Sequence, residues 1–163
     1  MIRQATFGKR LFFVVFTALV SHPHMSQAAD VTLTGVAEGS DLYASLSGGS
    51  LLIEQTSDAV TPSPQEIVSA AQADYGRLLA VLYDAGHYGP VIRITLEGRD
   101  ASDIPPVRPP NQVRQAVIDI EPGPVFRFGN AEISPLAPDT DLPDRFSSGQ
   151  TARLSALKAT VAA

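Results

Sequence analysis

The sequence contains no cysteine and no tryptophan in 163 residues. Without cysteine there is no disulfide framework, no thiolate zinc site and no cysteine nucleophile. Histidine is nearly as scarce, since His22 and His24 fall within the first 28 residues and leave His87 alone beyond them. One imidazole among scattered carboxylates offers no convergent set of metal ligands, so no cofactor or metal is expected. Positive charge is thin as well. Beyond residue 28 there are 9 Lys or Arg against 17 Asp or Glu, a formal charge of -8 with no basic cluster. Such a chain lacks the electrostatic footprint that phosphate backbones require, and anionic lipid headgroups repel it weakly. The apolar run Leu11 to Val20 spans ten residues and is broken at Thr17, well short of the roughly 20 that cross a bilayer.

That run has a different use. Arg3, Lys9 and Arg10 precede it without an acid, and Ser21, Pro23 and the small-residue stretch Ser26-Gln27-Ala28-Ala29 follow. A basic head, a short apolar centre and a small-residue exit make a cleavable secretory leader over residues 1 to 28. The mature chain is predicted to begin at Ala29 or Asp30. The remaining length suits about one domain, which must bury a core because it has no disulfides to staple it. At the other end, Ser155 to Ala163 has a helical pattern with no Gly, Asn or Pro to stop it, so the sequence is expected to be cut short there.

Between these ends, residues Asp30 to Val36 alternate in the manner of a short strand. Ser40 suits the cap of a kinked helical stretch carrying Leu42, Tyr43 and Leu46, interrupted at Gly48-Gly49 and resumed over Ser50 to Gln55. The plainest local signal is Ser63-Pro64-Gln65-Glu66: a cap, a proline at the first helical position and a capping-box acid. Ile67, Ala71, Tyr75, Leu78 and Leu82 then share one face, which leaves Gln65, Gln72, Asp74, Arg77 and Asp84 for solvent. Gly86 provides the stop. Val91 to Glu97 and Gln115 to Glu121 alternate as half-buried strands expected to pair, joined by a loop holding Pro105, Pro106, Pro109 and Pro110. After Pro122-Gly123-Pro124 a second unit is expected, with a strand over Val125 to Ile133, a short helix from Leu142 to Gln150 and a longer one from Ala152.

The order strand, helix, helix, strand, strand, with Ala71-Gln72-Ala73-Asp74-Tyr75 and Leu82-Tyr83-Asp84-Ala85-Gly86-His87-Tyr88-Gly89 at its centre, resembles the polypeptide-transport-associated (POTRA) domain. It is closest to the N-terminal region of TamA-like outer-membrane assembly factors, whose junction between first and second domains is similar to residues 117 to 129. The resemblance implies an α+β fold: a POTRA-like unit over 30–122 with a three-stranded mixed sheet packed by two helices, then an incomplete second unit over 124–163. It implies a periplasmic protein-binding module of an outer-membrane assembly or translocation factor, attached to the outer membrane through a barrel that this sequence does not contain. Its partners would be extended outer-membrane protein clients or an inner-membrane partner subunit, engaged by adding a strand to a sheet edge. The expected edge is Val91, Arg93, Thr95 and Glu97 on the strand 91–97, and proline at Arg93 or Thr95 is the test of it if those donors face outward. The alternative is a free-standing periplasmic adaptor or scaffold without a barrel.

An enzyme is not expected. His87 beside Asp84 and Tyr88 would be the acid-base candidate, yet a residue in a turn after a helix stop accounts for it without catalysis, and no nucleophile accompanies it. Ser47-Gly48-Gly49-Ser50 and Gly123-Pro124 match neither a nucleophile elbow nor a P-loop. Phe126 and Phe128, two apart on a strand, are read as core, and Tyr43, Tyr75 and Tyr83 as packing residues with wet hydroxyls.

Overall fold

Three serines begin three helices. Ser40 Oγ accepts the amide of Tyr43 at 3.1 Å and opens α1 (Asp41–Gly49). Ser50 closes α1 and opens α2 (Leu51–Ser57), its hydroxyl accepting from the Ile53 amide at 3.1 Å. Ser63 opens α3 (Pro64–Asp84) with a complete capping box: its hydroxyl accepts from the Glu66 amide, and the Glu66 carboxylate accepts from the Ser63 amide at 2.7 Å. These side chains satisfy amides that a helix start otherwise leaves unpaired. At the far end, Gly86 adopts φ 89°. The His87 amide reaches back to the Leu82 carbonyl at 2.8 Å and the Gly86 amide to Tyr83 at 3.1 Å, the double bond pattern of a Schellman stop.

The computed structural model describes residues 29–130 and 147–161. The expected leader, the far end of the strand expected to Ile133, and most of the helix expected from Leu142 lie outside the described residues.

The strands form one mixed sheet in the order β1-β4-β2-β3, from β1 (Asp30–Thr34), β2 (Val91–Leu96), β3 (Arg99–Asp100) and β4 (Gln115–Glu121). β4 is central, parallel to β1 and antiparallel to β2. The expected pairing of 91–97 with 115–121 is therefore found. The fourth strand was not foreseen. It exists because Glu97 (φ 51°) and Gly98 (φ 77°) make a two-residue left-handed turn that folds Arg99 and Asp100 back onto Leu96 and Thr95, the hairpin geometry that matches strand twist. Glu97 holds that conformation by folding its carboxylate onto the amides of Arg114 and Gln115.

Alternation decides the two faces. Leu33, Ile94, Leu96, Ala116, Ile118 and Ile120 are buried on one side beneath the helices, where they meet Leu46, Leu52, Val68, Leu78 and Leu82. The opposite face is polar: Thr34 Oγ1 donates to Asp119 at 2.9 Å, and Arg93 reaches the same carboxylate at 3.4 Å, a row of side chains across β1, β4 and β2. The architecture is a two-layer α+β arrangement with helices over one sheet face.

The helix face differs from the simple reading in one instructive respect. The buried stripe of α3 runs Ile67, Ala71, Asp74, Leu78, Leu82, and Asp74 is 0 % exposed, contrary to its expected place in solvent. Its carboxylate accepts from Ser50 Oγ at 2.6 Å, from the Leu51 amide at 2.8 Å and from the Leu52 amide at 3.1 Å. A buried acid is tolerable only with such partners. Here it fills the first turn of α2 with negative charge and pins the break between α1 and α2 to α3. Gln72 is likewise engaged, its amide donating to the Ala101 and Ile104 carbonyls at 2.9 and 2.8 Å and tying down the turn Ala101–Asp103.

Over the described residues 125–130 the expected strand does not form. Among the described residues there is an isolated bridge between Arg127 and Thr151, then α4 (Leu154–Val161). Phe126 is 48 % exposed, so the assignment of that pair to a core fails for Phe126.

Candidate functional site

The chemistry available to a sheet edge is its unpaired main chain, so the first question is which groups point outward. Along β2 the answer follows from Ile94. Its amide donates to the Tyr75 hydroxyl at 3.3 Å, and its carbonyl lies at 3.3 Å from the same oxygen. Ile94 therefore faces away from β4. In an antiparallel pair consecutive residues alternate between facing the partner and facing away. Val91, Arg93 and Thr95 must then bond to β4, and Glu97 continues that phase with its amide on the Gln115 carbonyl at 3.0 Å. The four residues expected to form a recognition edge turn their main chain inward. A proline at Arg93 or Thr95 would break the β2–β4 ladder rather than an outer edge.

What remains of the outer edge of β2 is largely occupied. β3 covers the end at Thr95 and Leu96. Tyr75 covers Ile94, and its hydroxyl also donates to Asp100 at 2.9 Å. Burial pushes the Tyr75 phenol up, and the adjacent Asp100 carboxylate adds to the effect. Asp100 moves the other way: the Ser102 hydroxyl, the Ser102 amide and then the Tyr75 hydroxyl hold its carboxyl below the ordinary range. A tyrosine expected to keep a wet hydroxyl thus acts as a plug, leaving Ile92 as the one β2 position whose outward main chain neither Tyr75 nor β3 meets. Of the side chains in the expected edge, Arg93 is engaged across the open face with Asp119 and Glu97 is turned onto β4.

The other edge, along β1, has no strand partner among the described residues. The Asp30 amide donates to the Arg114 carbonyl at 2.8 Å, which fixes the phase of β1: Asp30, Thr32 and Thr34 face β4, while Val31 and Leu33 present their amides and carbonyls outward. Among the described residues no strand pairs with that side. The Leu33 side chain is buried, so the strand is held in place from below while its outer rim meets no strand among the described residues. No sequence signal distinguished the two edges, because strand order is a property of the sheet.

The other candidates resolve simply. His87 is 8 % exposed, and its Nδ1 lies 3.0 Å from the Gly123 carbonyl, which makes it a link between the α3 stop and the next segment. Asp84, expected in solvent, accepts from the Ser155 amide at 3.0 Å. Ser50 is the shared cap of two helices, and the Gly49 carbonyl accepts from Arg77 Nε at 2.9 Å. Among the described residues no group of three or more His, Asp or Glu is placed to hold a metal, and no helix is long and apolar enough to cross a membrane.

Comparison of the chain with protein-family models, with curated proteins and with solved structures gave no match.

Proposed function

We propose that the chain is a protein-binding module of the POTRA type, exported to the periplasm as part of an outer-membrane assembly or translocation factor, and that it recognises extended segments of clients or of a partner subunit by strand addition. The observation that carries the reading is the outer edge of β1, unpaired among the described residues, where Val31 and Leu33 offer main-chain donors and acceptors beside a fully paired central strand. An exposed rim of this kind is a template for another chain, and its affinity comes from the backbone with little demand on client sequence. The order β1, three packed helices, then an antiparallel pair whose second strand enters the centre supports the same reading. The blocked edge at Tyr75 and β3 makes one side of the sheet the better partner and limits edge-to-edge association at the other.

The test is a titration of isotope-labelled protein with a short peptide of alternating Val and Thr. Amide shifts should concentrate at Val31 and Leu33. Val31→Pro removes an outward donor and should abolish binding with the fold intact, since proline is tolerated on an edge where its position makes no ladder bond. Shifts confined to helix residues, or unchanged affinity in a folded Val31→Pro protein, would refute strand addition at β1.

A further inference from the structure

The helix α4 begins without a cap of its own. The residue before Leu154 is Arg153, a cation where a helix start favours an oxygen acceptor and negative charge. The missing acceptor arrives from 71 residues earlier in the chain: Asp84 Oδ1, on the last turn of α3, takes the amide of Ser155 at 3.0 Å. Ser155 is the second residue of α4, one of the two positions a local cap would serve. The eight residues of α4 are too few to hold a helix in water alone.

A strap of main chain brings the two helices together. The Phe126 amide donates to the Gly86 carbonyl at 2.8 Å, Ala152 donates to Phe126 at 3.0 Å, and Phe128 donates to Gln150 at 2.8 Å. Tyr88 closes the strap from the other side, its hydroxyl donating to the Ala152 carbonyl at 2.7 Å while its ring stacks on Tyr83 at 5.1 Å and meets the edge of Phe126 at 5.9 Å. Gly86 lies beneath: a Cβ there would stand 2.6 Å from Thr151 Cγ2. The helix stop is thus also a contact surface.

We propose that Asp84 is a coupling residue: the completed end of α3 supplies the N-cap that α4 lacks, so that α4 forms only when its strap is docked on the finished first unit. The coupling stands independently of what the sheet edges bind. It gives the chain an order of assembly, with the sheet and α3 first and the following segment templated on them. It also fixes the direction in which the chain leaves the first unit.

Amide hydrogen exchange on the full chain tests it. Asp84→Ala should speed exchange of the amides of residues 155–161 by about fivefold to thirtyfold, the loss expected of a cap, with Ile94 and Ile118 unchanged. Asp84→Asn, which keeps a capping oxygen, should retain most of the protection. Tyr88→Phe should loosen the same amides by undoing the strap bond. The decisive variant is Arg153→Ser in the Asp84→Ala background, which installs a local cap and should restore protection. Unchanged α4 exchange in Asp84→Ala would overturn the proposal. So would an equal rise at Ile94 and Ile118, or a failure of Arg153→Ser to restore α4.

Discussion

Asp74→Ala removes one side chain and unpairs three donors at once. In the intact protein the carboxylate accepts from Ser50 Oγ, Leu51 N and Leu52 N at 2.6, 2.8 and 3.1 Å, at a site with no exposure. Hydrogen bonds to a charged group contribute about 1.5–3 kcal/mol each, and a buried donor left without a partner costs about 1–3 kcal/mol. Against that stands the relief of no longer burying an acid, which offsets a part of several kcal/mol. The net expectation is a loss of about 3–5 kcal/mol, a large share of the roughly 5–15 kcal/mol that holds a domain of this size. In a thermal melt followed by circular dichroism this is a fall in Tm of about 15–30 °C. Asp74→Asn keeps one acceptor but turns an amide donor toward other donors, so its loss should be smaller, about 2 kcal/mol. A double-mutant cycle with Ser50→Ala should show a coupling of about 1–2 kcal/mol, because each substitution already removes the 2.6 Å bond. An Asp74→Ala protein melting within about 0.5 kcal/mol of the parent would refute the argument that α2 is capped from α3.

Leu78→Asp places an unpaired acid in the core and should cost several kcal/mol. Arg77→Ala loses only an exposed bond to the Gly49 carbonyl and a 3.9 Å approach to Asp74, about 1 kcal/mol or less; urea unfolding that reversed their order would show the helix phase to be wrong. Gly35 stands at φ 84°, and a Cβ there would come within 2.0 Å of the Ile120 carbonyl oxygen, so Gly35→Ala should cost about 3 kcal/mol or more and fray β1 from β4, measured as faster exchange at Thr32 and Thr34. Glu97 has its carboxyl held below its ordinary value of 4.5 by the amides of Arg114 and then Gln115. Its contribution is therefore complete above that ordinary value and is lost as pH falls through the lowered one. An NMR titration should show the Arg114 and Gln115 amides moving together below pH 4.5, and Glu97→Gln should abolish that transition; amides that titrate only above that value would refute it.

Much of the fold can be read before any coordinates. Ser63-Pro64-Gln65-Glu66 carries its own start signal, Gly86 its own stop, and the alternation of Val91 to Leu96 and Gln115 to Glu121 its own phase, because each depends on bonds within a few residues. Local patterning also places Leu78 and Leu82 inside. It misleads at Asp74, Gln72 and Tyr75 for a common reason: a polar side chain on or beside an apolar stripe is assigned to water unless its partners are known, and those partners, Ser50, Ala101 and Ile94, are 19 to 29 residues away.

The candidate edge was legible only in part. The sequence by itself determined that two alternating strands exist and that no thiol chemistry is encoded. Tertiary structure decided the rest. Which edge is open depends on a two-residue strand made by a left-handed Glu97-Gly98 turn and on a tyrosine from α3. Whether α4 is capped depends on an aspartate from the end of α3. Periodicity reports which face of an element is apolar, since burial acts residue by residue. The pairing of main-chain groups across a sheet, and the sharing of one carboxylate between two helices, depend on positions in space that no local pattern contains.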